Sequence, residues 1–268
     1  MSILKIIAFL PYILAACKNT ENPLLRGDNC EGVGSKKEKL KITTVSCGFG
    51  KRDVADVFEE DKNCLDMNSV ANFGEDASFL FDSDDYSAFS IADGVGGWNR
   101  QGIDPSVFSF NLEKNILDQL KAGMDATSLL RLTNRSYNKI KSEDVIHGSA
   151  TLTSLSIDKI NHVLYTSNLG DSGFIIIRSG AIYDLSSPQQ HFFNAPFQLA
   201  NAPRERKNAM RDKPELADFK NMVIKSGDII LAFSDGVSDN LFEYELRTLM
   251  LEMLPDLSIE NWIFFRKN

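Results

Sequence analysis

The stretch FSIADGVGGWNRQG, Phe89 to Gly102, runs an apolar segment straight into an aspartate and then places four glycines within nine residues. The run from Tyr86 to Ala92 mixes aromatic, small and β-branched residues, which reads as a buried strand. Asp93 therefore ends a strand at the mouth of a sheet. A carboxylate there loses hydration at a cost of several kcal/mol unless a cation or a hydrogen-bond donor compensates it. The glycines that follow let backbone and ligand approach closely. Asp-Gly alone is an ordinary turn dipeptide, so the meaning of Asp93 depends on what surrounds it.

Downstream of the stretch, Asp104 followed by Pro105 gives a helix cap and a first-turn proline. Val107, Phe108, Leu112, Ile116, Leu117 and Leu120 then recur at helical spacing until Gly123. A second helix is expected from a cap near Asp125 to about Ile140. Beyond it, Ser149 to Ile157, HVLYTSN and FIIIRSGAIYDL read as strands joined by glycine-containing turns, an antiparallel meander. Strands, then helices, then more strands predict an α+β layered domain rather than a parallel sheet with regular crossovers.

The context of Asp93 repeats elsewhere. Glu75 and Asp76 stand in FGEDASFLF, Asp171 in SNLGDSGFIII, and Asp235 in IILAFSDGVSDN, each beside glycine or small residues at the edge of an apolar segment. Converging carboxylates repel one another, and a divalent metal is the usual remedy. Hard oxygen ligands with retained water suit Mg2+ or Mn2+. Two such ions sharing a water lower its pKa and drive an in-line attack on phosphorus.

Composition agrees with an ordinary folded protein: 268 residues, 43% hydrophobic and 25% charged, with one domain as the default. A net charge of -8 without any block of Lys or Arg argues against nucleic acid or anionic lipid as partner. The four cysteines, Cys17, Cys30, Cys47 and Cys64, form no C-x-x-C pair and read as unpaired, non-catalytic thiols. The apolar run from Ile6 to Cys17 is broken by Pro11 and too short for a membrane span of about 20 residues. Residues 1–40 are read as a targeting segment followed by a polar linker, with the globular domain occupying residues 41–268.

The motifs GEDASF, ADGVGGW, GSAT, NLGDSGF and FSDGVSDN occur in the order seen in metal-dependent protein phosphatases of the PPM, or type 2C, family, which the chain resembles from about Thr43 to Glu252. SCGFGK, ADGVGGW, GIDPSVFS, NLGDSGF and QQHFFNAPFQLA resemble the mitochondrial branch of that family, the one linked to coenzyme Q synthesis. The resemblance implies a four-layer αββα sandwich of two antiparallel sheets flanked by helices, and a centre of two Mn2+ or Mg2+ ions with a weaker third position. Carried over position by position, Asp93 bridges both ions, the Gly94 carbonyl and Glu75 hold one, and Asp235 holds the other. Asp76 orients metal-bound water, and Asp171 with Asp235 and Asp239 forms the third position. The implied reaction is direct hydrolysis of phosphoserine or phosphothreonine in protein substrates by a metal-bridged hydroxide, without a phosphoenzyme. The expected state is a monomer in the mitochondrial matrix, although the apolar N-terminus fits a secretory signal about as well.

Three departures qualify the resemblance. Related phosphatases continue past the segment matching Glu243 to Met253 to a further aspartate ligand of the Asp235 ion, whereas this chain ends at SIENWIFFRKN. The expectation is a sheet lacking its last strand or strands and reduced turnover, the alternative being a catalytically impaired homologue with a binding or regulatory role. Val95 stands where many relatives have a proton-donating His, and Ala71 where they have a phosphate-gripping Arg. Arg100 and His191 are the available substitutes, each more simply read as a surface or structural residue. No other site class fits: DSDDYSAFSIAD has Ser87 where a calcium loop needs Gly, GVGGWN lacks a dinucleotide loop's third glycine, and GDSGF has Phe174 where a serine elbow needs Gly. His147 and His162 lack metal-ligand spacing.

Overall fold

A computed structural model describes residues 12–18, 39–48, 65–206 and 209–253. The linker stretch 19–38, Cys30, Cys64 and the terminal SIENWIFFRKN lie outside the described residues.

Among the described residues fifteen strands form in chain order: β1 (Tyr12–Lys18), β2 (Lys41–Cys47), β3 (Ser69–Phe73), β4 (Asp76–Asp82), β5 (Tyr86–Ala92), β6 (Gly148–Ala150), β7 (Leu152–Asp158), β8 (Val163–Leu169), β9 (Gly173–Arg178), β10 (Ala181–Leu185), β11 (Gln190–Phe192), β12 (Ala195–Pro196), β13 (Leu199–Asn201), β14 (Asp218–Val223) and β15 (Ile229–Phe233). The helices are α1 (Pro105–Lys121), α2 (Leu129–Ser142), the single turn α3 (Asp235–Ser238) and α4 (Glu243–Met253).

One sheet has the order β14-β8-β7-β5-β4-β3 and the other β10-β9-β15-β1-β2, with antiparallel pairing throughout. Two short ribbons, β13-β6 and β11-β12, complete the strands. The expected meander is present. Three apolar layers separate the elements, as a four-layer αββα sandwich requires. Phe79, Phe108, Leu112, Ile116, Leu132 and Leu152 pack α1 and α2 onto the six-stranded sheet. Leu80, Phe89, Ile91 and Leu155 meet Phe174, Ile176 and Ile230 between the sheets. Ile175, Ile177 and Leu231 pack against Val237, Leu246 and Met250 on the far side. Phe79, Phe89, Phe108 and Phe174 are fully buried and each contributes roughly 1.5–3 kcal/mol.

Local chemistry explains the first helix. The Asp104 carboxylate accepts from the Ser106 N–H at 2.9 Å, and Pro105 occupies the first turn. The second helix departs from its expected start. Asp125 accepts from the Thr127 N–H (2.9 Å) and from the Ser128 hydroxyl (2.7 Å), so it closes a turn, and α2 begins only at Leu129. The strand expected over Ser149 to Ile157 breaks at Thr151, because β6 leaves the sheet to pair with β13.

The N-terminal segment differs most. The sequence reading starts the domain at Lys41, yet Tyr12–Lys18 forms a strand between β15 and β2, with Tyr12 opposite Phe233 and Cys47. A short apolar run carries no period that separates a targeting core from a buried strand, and in the structure this one pairs with β15 and β2. Among the described residues no helix is long and apolar enough to cross a membrane.

Candidate metal centre

Antiparallel pairing brings one end of several strands together. Ala77 at the start of β4 lies opposite Ala92 at the end of β5, and Leu152 at the start of β7 lies opposite Leu169 at the end of β8. In the second sheet Gly173 at the start of β9 lies opposite Phe233 at the end of β15. Asp76 and Asp93, Asp171 on the link from β8 to β9, and Asp235 after β15 thus emerge at one end of the sandwich.

Their charges meet there. Asp93 stands within hydrogen-bonding reach of both Asp76 and Asp235. Burial pushes the Asp93 carboxyl well above the usual carboxylate range, and the charges of Asp76 and Asp235 push it further. Burial also raises Asp171, where a hydrogen bond from the Gln190 amide (3.0 Å) opposes the rise and Asp235 and Asp239 add to it. Asp239, exposed one turn beyond Asp235, is raised by burial and then by Asp235. Five of the carboxylates singled out in the sequence therefore form one continuous electrostatic set across both sheets.

Glu75 sits on the turn before β4. Its carboxylate accepts from the Asn99 amide at 2.5 Å, and its backbone carbonyl accepts from the Ser109 hydroxyl on α1 at 2.7 Å. Gly94 is required by this packing. A Cβ on it would run into the Glu75 carbonyl oxygen and come within 3.2 Å of the Pro105 side chain. The loop is pinned from below as well: Asp93 C=O accepts from the Thr151 N–H (3.0 Å), and the Val95 N–H donates to Ser149 C=O (3.0 Å). The buried Ser149 hydroxyl accepts from the Trp98 indole (2.6 Å) and donates to the Gln198 side-chain oxygen (2.6 Å).

The donor set fits divalent cations. Burial and two neighbouring carboxylates disfavour a charged Asp93 unless a positive charge stands beside it, and every donor is a hard oxygen of the kind Mg2+ and Mn2+ take. Among the described residues no three of these side chains are already drawn to the separations of a closed metal cluster. The Glu75 carboxylate lies against Gly96 of the glycine loop, Asp93 lies with Asp76 and Asp235, and Asp171 and Asp239 each feel the Asp235 charge.

The proposed substitutes have other surroundings. Arg100 is exposed on the turn Gly96–Gln101. His191 is bonded to Asp212 at 3.0 Å and stacked on Phe197 at 4.4 Å, the structural placement expected for it. Sequence reasoning missed Ser109, Asn99, Gln190 and Gln198. Ser109 lies in the middle of a helix and carries no local signal of contact with Glu75, 34 residues earlier. GSAT was recognised as a motif, but its Ser149 bridges two loops that only the folded chain brings together.

Several known proteins are similar to this chain. A protein phosphatase PTC7 homolog of Xenopus laevis is 36% identical over 224 residues, covering 82% of this chain and 71% of its own. The PTC7 homolog of Homo sapiens is 36% identical over 82% of this chain and 69% of its own. Among solved structures, the photosystem II phosphatase PBCP has a TM-score of 0.60 and 28% identity over 70% of this chain and 68% of that one. A bacterial serine phosphatase shares the fold at a TM-score of 0.53 and 14% identity, over 72% of this chain and 84% of its own. No family model matches the chain.

Proposed function

The chain belongs to the PTC7 group of protein phosphatases, with the type 2C fold, and on that premise we propose that it hydrolyses phosphoserine and phosphothreonine at the carboxylate-lined end of its sandwich, using divalent metal. The observation that carries the site assignment is the meeting of Asp93 with Asp76 from its own sheet and Asp235 from the other. Bound Mn2+ or Mg2+ would supply the Lewis acidity that polarises phosphoryl oxygens and lowers the pKa of a water.

The chain's own residues divide the remaining work. Asp93 would hold the bound metal together with Glu75, the Gly94 carbonyl and Asp235, and Asp171 and Asp239 would add donors beside Asp235. Asp76, beside Asp93, accepts a hydrogen bond from the attacking water and orients it toward phosphorus. Gly97 is exposed, and a Cβ on it would meet nothing within 4 Å, so the approach over the loop stays clear for a phosphorylated side chain. Val95 offers no proton, so leaving-group protonation falls to solvent, which forgoes a contribution of roughly 10²–10⁴ in rate.

A phosphate-release assay with Mn2+ on a phosphothreonine peptide tests this reading. The wild-type chain is expected to turn over and to stop on addition of EDTA. Asp93→Asn should lose at least about 100-fold, since even outer-shell partners of a metal cost about 10–100-fold. Equal rates for the two proteins would sink the assignment. The same reading sends the protein to mitochondria through residues 1–40. A fluorescent fusion of that segment should overlap a mitochondrial marker, and secretory-pathway staining would overturn the assignment.

A further inference from the structure

A groove of about 800 Å³ lies between α2 and the edge strand β14. Residues from Thr127 to Asn138 form one wall, and Phe219 to Asn221 with Tyr165 form the other. None of the six acidic residues of the metal centre lines it, and none of its lining residues is acidic, in a chain of net charge -8. Arg131 and Arg135 stand on its helical wall, and neither forms an ion pair among the described residues. The carboxylates at its margin have other hydrogen-bond partners, and of them Asp125, bonded into its own turn, also feels the Arg131 charge. Asn134 holds Glu215 at 3.0 Å, Lys220 lies 3.4 Å from Asp184 and 3.9 Å from Asp218, and Asp125 caps its own turn.

The other wall offers a backbone. β14 pairs with β8 on one side only; the Val223 C=O accepts from Arg178 at 2.9 Å, and the outer N–H and C=O groups of Phe219 and Asn221 form an open template among the described residues. Phe219, 40% exposed, lines the groove beside that edge. Arg131 and Arg135 are four residues apart on α2, a rise of about 6 Å along the helix. Alternate side chains of an extended strand are about 6.7 Å apart, so a peptide running along the groove meets both guanidinium groups with two acidic residues separated by one.

We propose that this groove docks an extended acidic segment of a partner protein, added to β14 as a further strand, with alternating carboxylates on Arg131 and Arg135. The main-chain ladder gives affinity and the arginine pair gives sequence preference. This site is independent of the phosphatase reading, because it shares no residue with the metal centre.

Fluorescence anisotropy of the full chain in EDTA, with a labelled peptide alternating glutamate and valine, tests it. Binding is expected, with Arg131→Glu/Arg135→Glu weakening it at least about tenfold and Arg131→Lys/Arg135→Lys retaining most of it. Circular dichroism and phosphatase rate should be unchanged in both variants, and amide hydrogen exchange should slow in residues 218–223 when peptide is bound. Equal affinity of the charge-reversed variant, equal affinity for a peptide with lysine in place of glutamate, or tighter capture of a single-stranded RNA would each overturn the proposal.

Discussion

The six-stranded sheet draws all its strands but β14 from near neighbours in the chain, β3-β4-β5 and β7-β8, and is covered by α1 and α2. The five-stranded sheet gathers β9 and β10 from the middle of the chain, β15 from near its end, and β1 and β2 from its beginning. The proposed metal centre straddles both. Asp76 and Asp93 ride on the sheet built locally, Asp235 and Asp239 on the sheet built from distant pieces, and Asp171 on the link between them. The meeting of Asp235 with Asp93 therefore depends on long-range pairing, because β15 is held in place by β9 and β1.

The largest effect follows from breaking the second sheet. Deleting residues 1–18 removes β1, the shared partner of β15 and β2. With backbone hydrogen bonds contributing about 1 kcal/mol each, and roughly 2–4 °C of Tm per kcal/mol at this size, a fall of at least about 10 °C is expected in a thermal melt. A melt unchanged by the deletion would remove Tyr12–Lys18 from the sheet. On the locally built side, Gly94→Ala forces a Cβ against the Glu75 carbonyl and Pro105, neither of which is the yielding end of a flexible side chain. The expected cost is about 1–3 kcal/mol, with a higher Mn2+ concentration at half-maximal rate. Ser109→Ala, which releases the same carbonyl more gently, should cost about 1 kcal/mol and shift Mn2+ dependence in the same direction.

The smallest effect sits beneath the first sheet and depends on pH. Glu113 on α1 is fully buried, its Oε1 accepts from the Ser90 hydroxyl at 2.9 Å, and its Oε2 has no partner. Burial raises its pKa well above the ordinary glutamate value, only partly offset by Ser90. A carboxyl whose folded pKa is raised stabilises fully below its unfolded pKa, near about 4.3, and that contribution drains away as pH rises toward the folded value. The Tm of Glu113→Gln should therefore move in the variant's favour, relative to wild type, as pH increases from about 4 through neutrality. A constant difference across that range would contradict it.

Much of this was legible in the chain. Asp93 showed itself because a buried strand, an Asp-Gly step and a run of glycines are all local, and Asp104–Pro105 announced α1 for the same reason. What escaped depended on distance. Tyr12–Lys18 reads equally as a targeting core until β15 and β2 bracket it, Ser109 looks like any mid-helix serine, and Asp125 looks like a helix cap although it closes the preceding turn. Arg131 and Arg135 gain meaning as a pair only from the outer edge of β14, which no described strand covers.

The central claim is that carboxylates delivered by two sheets hold divalent cations at one end of the sandwich. Calorimetric titration of the full chain with Mn2+ tests it without reference to turnover. Two ions per chain are expected for wild type, with the binding heat lost in Asp93→Asn and one ion's heat reduced in Asp235→Asn. Titrations that overlay for all three proteins would contradict it.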